Sequence, residues 1–108
     1  MIREITVQEL AEQLAAGAAV YLLDVRQPWE HEIAALPNST LVPLPELPGR
    51  FGEVRPESGA LVVVYCHHGI RSRSGAAVLE YFGFRDVVSL AGGIDAWSQQ
   101  VDPRVPRY

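Results

Sequence analysis

The segment that most constrains the fold is an unbroken apolar run at residues 61–65, Leu-Val-Val-Val-Tyr. A run this short and this rich in β-branched side chains is typical of a strand buried on both faces of a parallel sheet. A polar run follows at once and opens with Cys66, the only cysteine of the chain. Residues 72–82 then show helical character, and Gly83 stands where it would end the helix. The segment therefore predicts a strand, a short loop and a helix.

The position of Cys66 in this unit indicates a reactive thiol. In open α/β sheets ligands bind beyond the carboxyl ends of the strands, which is where the cysteine lies. Backbone N–H groups of the loop and the positive end of the next helix favour the thiolate form. Arg71 and Arg73 add positive charge, and His67 and His68 are able to add more. We therefore interpret Cys66 as a nucleophile in an anion-binding loop rather than as a small buried apolar residue.

Composition excludes several other kinds of chemistry. The 108 residues fit one domain, residues 1–108, and the formal net charge of −4 argues against nucleic acid or an anionic membrane as a partner. All nine basic residues are arginine, which excludes lysine Schiff bases. A single cysteine excludes an internal disulfide and multi-cysteine zinc sites. With no signal-peptide core and no apolar stretch of transmembrane length, we expect a soluble, cytoplasmic protein.

Strands and helices alternate along the rest of the chain. Thr6 and Glu9 form a capping box that starts the first helix. The predicted elements are a helix to about residue 16, a strand at 20–25, a turn or short helix at 28–33, a strand at 40–42, at most a short helix near 47–54, a strand at 85–90, a short helix at 94–97 and an extended tail at 101–108. This alternation predicts an α/β fold with a mainly parallel sheet and right-handed crossovers.

Asp24 and Arg26 lie at the end of a second buried strand, and their position is compatible with two roles. They form an ion pair that supports the fold, or they contact substrate in a crevice shared with Cys66. In either case Asp24 is placed to accept backbone N–H groups of the cysteine loop. We expect Glu30 and His31 to be surface or turn residues.

The two adjacent histidines allow two further interpretations. A metal site is disfavoured, because successive loop residues rarely both chelate one ion, although His31 and Cys66 could complete it. A Cys–His hydrolase pair also stays open and would need a third group to orient the imidazole. Of the two tryptophans, Trp97 is expected to pack, and Trp29 to pack or to line the mouth of the site.

Three motifs in order resemble the single-domain rhodanese (thiosulfate sulfurtransferase) family over nearly the whole chain. Residues 24–30, Asp-Val-Arg-Gln-Pro-Trp-Glu, look like its first motif, although the Gly-His-Ile segment that usually follows is altered at 31–33. Residues 66–72, Cys-His-His-Gly-Ile-Arg-Ser, look like its active-site loop. Residues 90–97, Leu-Ala-Gly-Gly-Ile-Asp-Ala-Trp, look like its C-terminal signature.

The resemblance implies a fold, an activity and a set of site residues. The fold would be a three-layer sandwich, with a mainly parallel sheet of about five strands between helices on both faces. Cys66 would take a sulfane sulfur from thiosulfate or a persulfide, hold it as a persulfide and pass it to a thiophilic acceptor, with no metal or organic cofactor. Asp24 and Arg26 would support the site. The residues expected to bind the sulfur-containing anion are His67, His68, Gly69, Ile70, Arg71 and Ser72.

Two alternatives remain at this point. A cysteine phosphatase needs five residues between its Cys and Arg, which would put the arginine at position 72, where Ser72 stands. A rhodanese-like module without turnover would instead bind a protein partner or deliver sulfur to it. The tail at 101–108 resembles the end of rhodanese domains fused to adenylating enzymes, which suggests a sulfur-acceptor protein as a partner.

Overall fold

Five parallel strands form one sheet in the computed structural model, which describes residues 2–108. The strands are β1 (Glu4–Ile5), β2 (Val20–Asp24), β3 (Thr40–Leu41), β4 (Leu61–Tyr65) and β5 (Val87–Leu90). They are arranged in the order β1-β5-β4-β2-β3, and every neighbouring pair is parallel. The predicted five-stranded parallel sheet is confirmed, and β4 lies at its centre.

Five helices accompany the strands within residues 2–108. They are α1 (Val7–Ala15), α2 (Pro28–Ile33), α3 (Leu47–Arg50), α4 (Arg71–Tyr81) and α5 (Gly93–Gln100), with 3-10 turns on both sides of α3. The predicted capping box starts α1: Glu9 N–H donates to Thr6 Oγ1 at 3.1 Å and Thr6 N–H donates to Glu9 Oε1 at 2.9 Å. No helix within residues 2–108 is both long and apolar enough to cross a membrane.

The apolar run of β4 is explained by cores on both faces of the sheet. Val63 and Tyr65 point into the core that α1 and α5 cover, and Val62 and Val64 point into the core that α3 and α4 cover. All four side chains are buried. Because neither face of the strand meets water, its sequence shows no alternation of apolar and polar residues. The predicted α/β sandwich, with helices on both faces, is confirmed.

Two parts of the fold differ from the sequence-based expectations. β1 was not predicted, because a two-residue strand carries no periodicity; it pairs with β5 at the edge of the sheet. The extended tail predicted at 101–108 is wrong. The N–H groups of Val101 and Asp102 both donate to Trp97 O at 2.9 Å, and the chain turns so that Tyr108 packs against the α1/α5 core. Burial of apolar tail side chains outweighs the extended preference of the prolines.

Candidate active site

Cys66 follows β4 directly, and backbone N–H groups of the next residues surround its sulfur. The residue is only 1% exposed. Its Sγ accepts the backbone N–H of Gly69 at 3.1 Å and that of Ser72 at 3.3 Å. Gly69 has a φ of 99°, a left-handed conformation that favours glycine, and Ser72 lies in the first turn of α4. Two N–H groups aimed at one buried sulfur stabilise negative charge there.

A pair of buried hydroxyl groups lies behind the sulfur. The Cys66 thiol donates to Ser72 Oγ at 3.5 Å, and Ser72 Oγ lies 2.7 Å from Ser89 Oγ on β5. Both serines are fully buried. Either hydroxyl is able to donate to the other, so the pair can also point a hydrogen toward a thiolate. Sequence reasoning missed Ser89, and the signal was a lone hydroxyl in an otherwise apolar strand.

Ser89→Ala is expected to slow alkylation of Cys66 by iodoacetamide at neutral pH about three- to tenfold. Losing the hydroxyl that orients Ser72 removes roughly 1 kcal/mol of stabilisation from the thiolate. The matched control is Ser98→Ala, since Ser98 is also buried but donates to Ile94 O in α5. Equal alkylation rates in the two variants would show that Ser89 does not act on the sulfur.

Two backbone hydrogen bonds join the cysteine loop to the start of α5. Ile94 N–H donates to Cys66 O at 2.9 Å and Asp95 N–H donates to His67 O at 3.1 Å. Gly93 begins this helix with a φ of 61°, and a Cβ there would lie 2.4 Å from Cys66 O and 2.5 Å from His67 O. The Gly-Gly turn of the C-terminal signature therefore lets the helix end approach the loop backbone closely.

Gly93→Ala is expected to lower the free energy of unfolding by about 2–3 kcal/mol, because both the left-handed φ and the backbone clash oppose a side chain. Urea denaturation measures the loss. The control is Gly59→Ala, where φ is 82° but nothing lies within 4 Å of the added Cβ. That variant should lose only about 1 kcal/mol, the left-handed contribution alone. Equal losses would contradict the proposed close approach.

Arg71 is held by a buried carboxylate. Its Nη1 donates to Glu30 Oε2 at 2.7 Å and its Nη2 donates to Glu30 Oε1 at 2.9 Å. Glu30 is 3% exposed, so the prediction of a surface or turn residue is wrong. Its place in the capping box of α2 turns it inward, where it also accepts the N–H of Gln27 at 2.9 Å. The bonds from Arg71 lower the pKa of Glu30 to about 2, so the carboxylate is ionised at neutral pH.

Asp24 and Arg26 form a fully buried ion pair. Arg26 Nε donates to Asp24 Oδ1 at 2.8 Å and Nη2 to Oδ2 at 2.7 Å. His31 Nδ1 lies 2.8 Å from Oδ2. In residues 2–108, Asp24 accepts no hydrogen bond from the cysteine loop, so that expectation is wrong. Nη2 also donates to Ala34 O at 2.6 Å, which places the pair between β2 and the segment after α2.

Tyr108 closes one side of the site. Its hydroxyl donates to Glu30 Oε1 at 2.8 Å and accepts from Arg26 Nη1 at 2.8 Å. Its ring stacks on His67 with centroids 3.9 Å apart, and His67 stacks on His68 at the same distance. Burial raises the pKa of Tyr108 to about 12, so its hydroxyl stays protonated. Sequence reasoning missed Tyr108 because the tail was predicted to extend away.

The two histidines of the cysteine loop, His67 and His68, lie beside the sulfur in sequence but do not contact it by a hydrogen bond. Burial, and then the neighbouring His68, lower the pKa of His67 and favour its neutral form. Neither loop histidine is hydrogen-bonded to Cys66 in the part of the chain that the structure describes.

The two tryptophans have different surroundings. Trp29 is 57% exposed and meets the Tyr108 ring edge-on, which places it at the mouth of the site, whereas Trp97 packs in the α1/α5 core. Within residues 2–108, no three His, Cys, Asp or Glu side chains are grouped to hold a metal ion.

The structure thus defines a class of protein in which the central strand of a parallel α/β sheet ends at a cysteine whose sulfur accepts backbone N–H groups. The model of the family described as "Rhodanese-like domain" matches residues 6–100. The chain belongs to this family. The resemblance seen in the three sequence motifs is thereby confirmed.

Individual relatives agree with this assignment. A sulfurtransferase of Allochromatium vinosum is 34% identical over 97% of this chain and 96% of its own length. The crystal structure of a rhodanese-related protein from Thermoplasma volcanium superposes with a TM-score of 0.82 at 30% identity, covering 98% of this chain and 99% of that one. A probable adenylyltransferase/sulfurtransferase of Mycobacterium tuberculosis, MoeZ, is 35% identical over 96% of this chain, which spans 26% of that protein. These similarities support a rhodanese-type role in sulfur transfer.

Proposed function

We propose that the protein is a sulfurtransferase that carries a sulfane sulfur as a persulfide on Cys66. The donor is thiosulfate or a persulfide, and the acceptor is a thiophilic nucleophile. The observation that carries the proposal is the pair of N–H groups, from Gly69 and Ser72, that converge on the buried Sγ. A persulfide on this sulfur bears a negative charge, which the same loop is built to stabilise.

Each half-reaction balances without a cofactor. The Cys66 thiolate attacks the outer sulfur of thiosulfate, a new S–S bond forms, and the old one breaks with its electron pair leaving on sulfite. An acceptor thiolate or cyanide then attacks the outer sulfur of the persulfide, and the Cys66 thiolate is the leaving group. The N–H groups of Gly69 and Ser72, which point at the cysteine sulfur, face the charge in both steps.

The arrangement at position 72 supports sulfur transfer over phosphate ester hydrolysis. A phosphatase loop would place an arginine there to hold two oxygens of a phosphate dianion. Here Ser72 uses both its N–H and its hydroxyl on the cysteine sulfur. The arginines on either side of it, Arg71 and Arg73, are paired with Glu30 and Glu4 instead. The loop is therefore fitted to a single sulfur rather than to a phosphoryl group.

A protein acceptor is a second, compatible candidate. Ile70 is 76% exposed on the cysteine loop and Trp29 is 57% exposed at the mouth, so the entrance offers apolar contacts that a small anion does not need. The mycobacterial relative, of which this chain spans 26%, is named as both adenylyltransferase and sulfurtransferase, which supports sulfur transfer within a larger protein. A cytoplasmic location belongs to the same proposal, because a lone reactive thiol suits a reducing compartment.

Steady-state kinetics with thiosulfate and cyanide test the proposal. We expect thiocyanate to form and double-reciprocal plots to be parallel, as a covalent two-step mechanism requires. If the protein takes up one sulfur but cyanide does not remove it, the carrier role is favoured. If the reduced protein shows no turnover and takes up no sulfur, both roles are contradicted. Phosphatase activity would then be measured.

A further inference from the structure

In the described part of the chain, the arginines near the cysteine loop are each paired with a carboxylate. Arg71 is paired with Glu30 and Arg26 with Asp24. Further ion pairs of this kind join Arg107 to Asp95 at 2.9 Å and Arg73 to Glu4 at 3.1 Å. His68 is exposed and faces Asp95 at 3.8 Å. Burial, and then His68, lower the pKa of His67, which disfavours a positive charge there. Within residues 2–108, the loop therefore offers an incoming anion N–H dipoles but no guanidinium without a carboxylate partner.

The pairing of Arg71 is difficult to undo. Glu30 accepts four hydrogen bonds, two from Arg71, one from the N–H of Gln27 and one from the hydroxyl of Tyr108. An anion that drew Arg71 away would leave a carboxylate buried without its counter-charge, which is strongly unfavourable. A donor therefore meets an Arg71 whose charge is already neutralised.

We propose that Glu30 determines which donor charge the site prefers. By neutralising Arg71, it makes the site favour singly charged donors, such as thiosulfonates, over dianionic thiosulfate. This inference rests on the proposed sulfurtransferase function and names its substrate class. The N-terminus of α4 and the loop N–H groups together supply a partial positive charge, on the order of half an elementary charge for a helix end. That partial charge suits a monoanion, whereas a second negative charge needs a full cation that Glu30 has cancelled.

Methanethiosulfonate and thiosulfate give a matched pair of probes. Both offer a terminal sulfur bound to an oxidised sulfur, and they differ by one negative charge. With methanethiosulfonate the Cys66 thiolate bonds to the terminal sulfur, the donor S–S bond breaks, and methanesulfinate leaves with the electron pair. The readout is the ratio of kcat/KM for the two donors, with cyanide as acceptor. Because intrinsic donor reactivity is common to all variants, the change in this ratio reports on the protein.

Glu30→Gln is expected to shift the ratio toward thiosulfate by about tenfold, because it frees the charge of Arg71. Arg71→Gln leaves Glu30 uncompensated and should shift the ratio in the opposite direction. The double variant Glu30→Gln/Arg71→Gln restores neutrality, and its ratio should return to within about threefold of the wild-type value. A merely structural role would slow both donors together and leave the ratio unchanged.

The outcomes separate this inference from the proposed function. If both donors load sulfur onto Cys66 but neither single variant changes the ratio, the charge-selection inference is overturned and sulfur transfer stands. If neither donor loads sulfur onto the wild-type protein, the proposed function itself fails. Because Glu30 is buried, Glu30→Gln is checked by urea denaturation; Arg71, whose side chain is 37% exposed, provides a variant that tests the same claim if Glu30→Gln does not fold.

Discussion

Replacing Cys66 with serine is expected to lower kcat/KM for sulfur transfer by at least about a thousandfold. A serine hydroxyl is far less acidic and less nucleophilic than a thiol, and it does not form a persulfide. The N–H groups of Gly69 and Ser72 would remain but would have no thiolate to stabilise. Thiocyanate production from either donor, with cyanide as acceptor, measures the effect.

The Cys66→Ser protein should still fold. The side chain lies in the α3/α4 core, and a hydroxyl there retains Ser72 as a hydrogen-bond partner, so we expect a loss of only about 1–2 kcal/mol. A normal urea transition in the inactive variant would confirm that chemistry, not folding, was removed. Activity within tenfold of the wild type would show that the sulfur travels by another route.

Asp24→Asn is expected to lower the free energy of unfolding by about 3–5 kcal/mol, which is a large fraction of the stability of a chain this size. Arg26 would stay buried with its charge uncompensated. Burial alone acts to lower the pKa of this guanidinium, but the bonds with Asp24 and Tyr108 outweigh burial and raise it, so the wild-type pair stays ionised. Urea denaturation followed by tryptophan fluorescence measures the change.

The control for this prediction is Glu46→Gln. Glu46 pairs with Arg50 at 2.7 Å, but both side chains are well exposed, so their interaction is screened by water. The control should change the free energy of unfolding by less than about 0.5 kcal/mol. If Asp24→Asn lost as little as the control, the buried pair would not support the fold as described.

Local signals in the sequence were sufficient for the central strand, the capping box and the cysteine loop. The run at 61–65 predicted β4 because a strand buried on both faces requires consecutive apolar residues, and here there are five. Thr6 and Glu9 predicted the start of α1 because a capping box is complete within four residues. The position of Cys66 beyond β4 followed from these local features, and the alternation of apolar runs with turn signals predicted the order of the remaining elements.

Contacts between distant residues were not predictable in this way. Glu30 and Arg71 are 41 residues apart, Tyr108 and Glu30 are 78 apart, and Ser72 and Ser89 are 17 apart. The local sequence around each residue carries no sign of its distant partner, and only the folded sheet brings the partners together. The consequence is functional, because the pairing of Arg71 with Glu30 changes the expected charge of the anion site.

The most direct test of the central claim is the intact mass of the protein before and after treatment with a sulfur donor, and again after cyanide. We expect a gain of one sulfur atom, located on the peptide that contains Cys66, and a return to the original mass when cyanide is added. The Cys66→Ser protein should show no change at any stage. No sulfur gain in the reduced wild-type protein, or an equal gain in Cys66→Ser, would contradict a persulfide carried by Cys66.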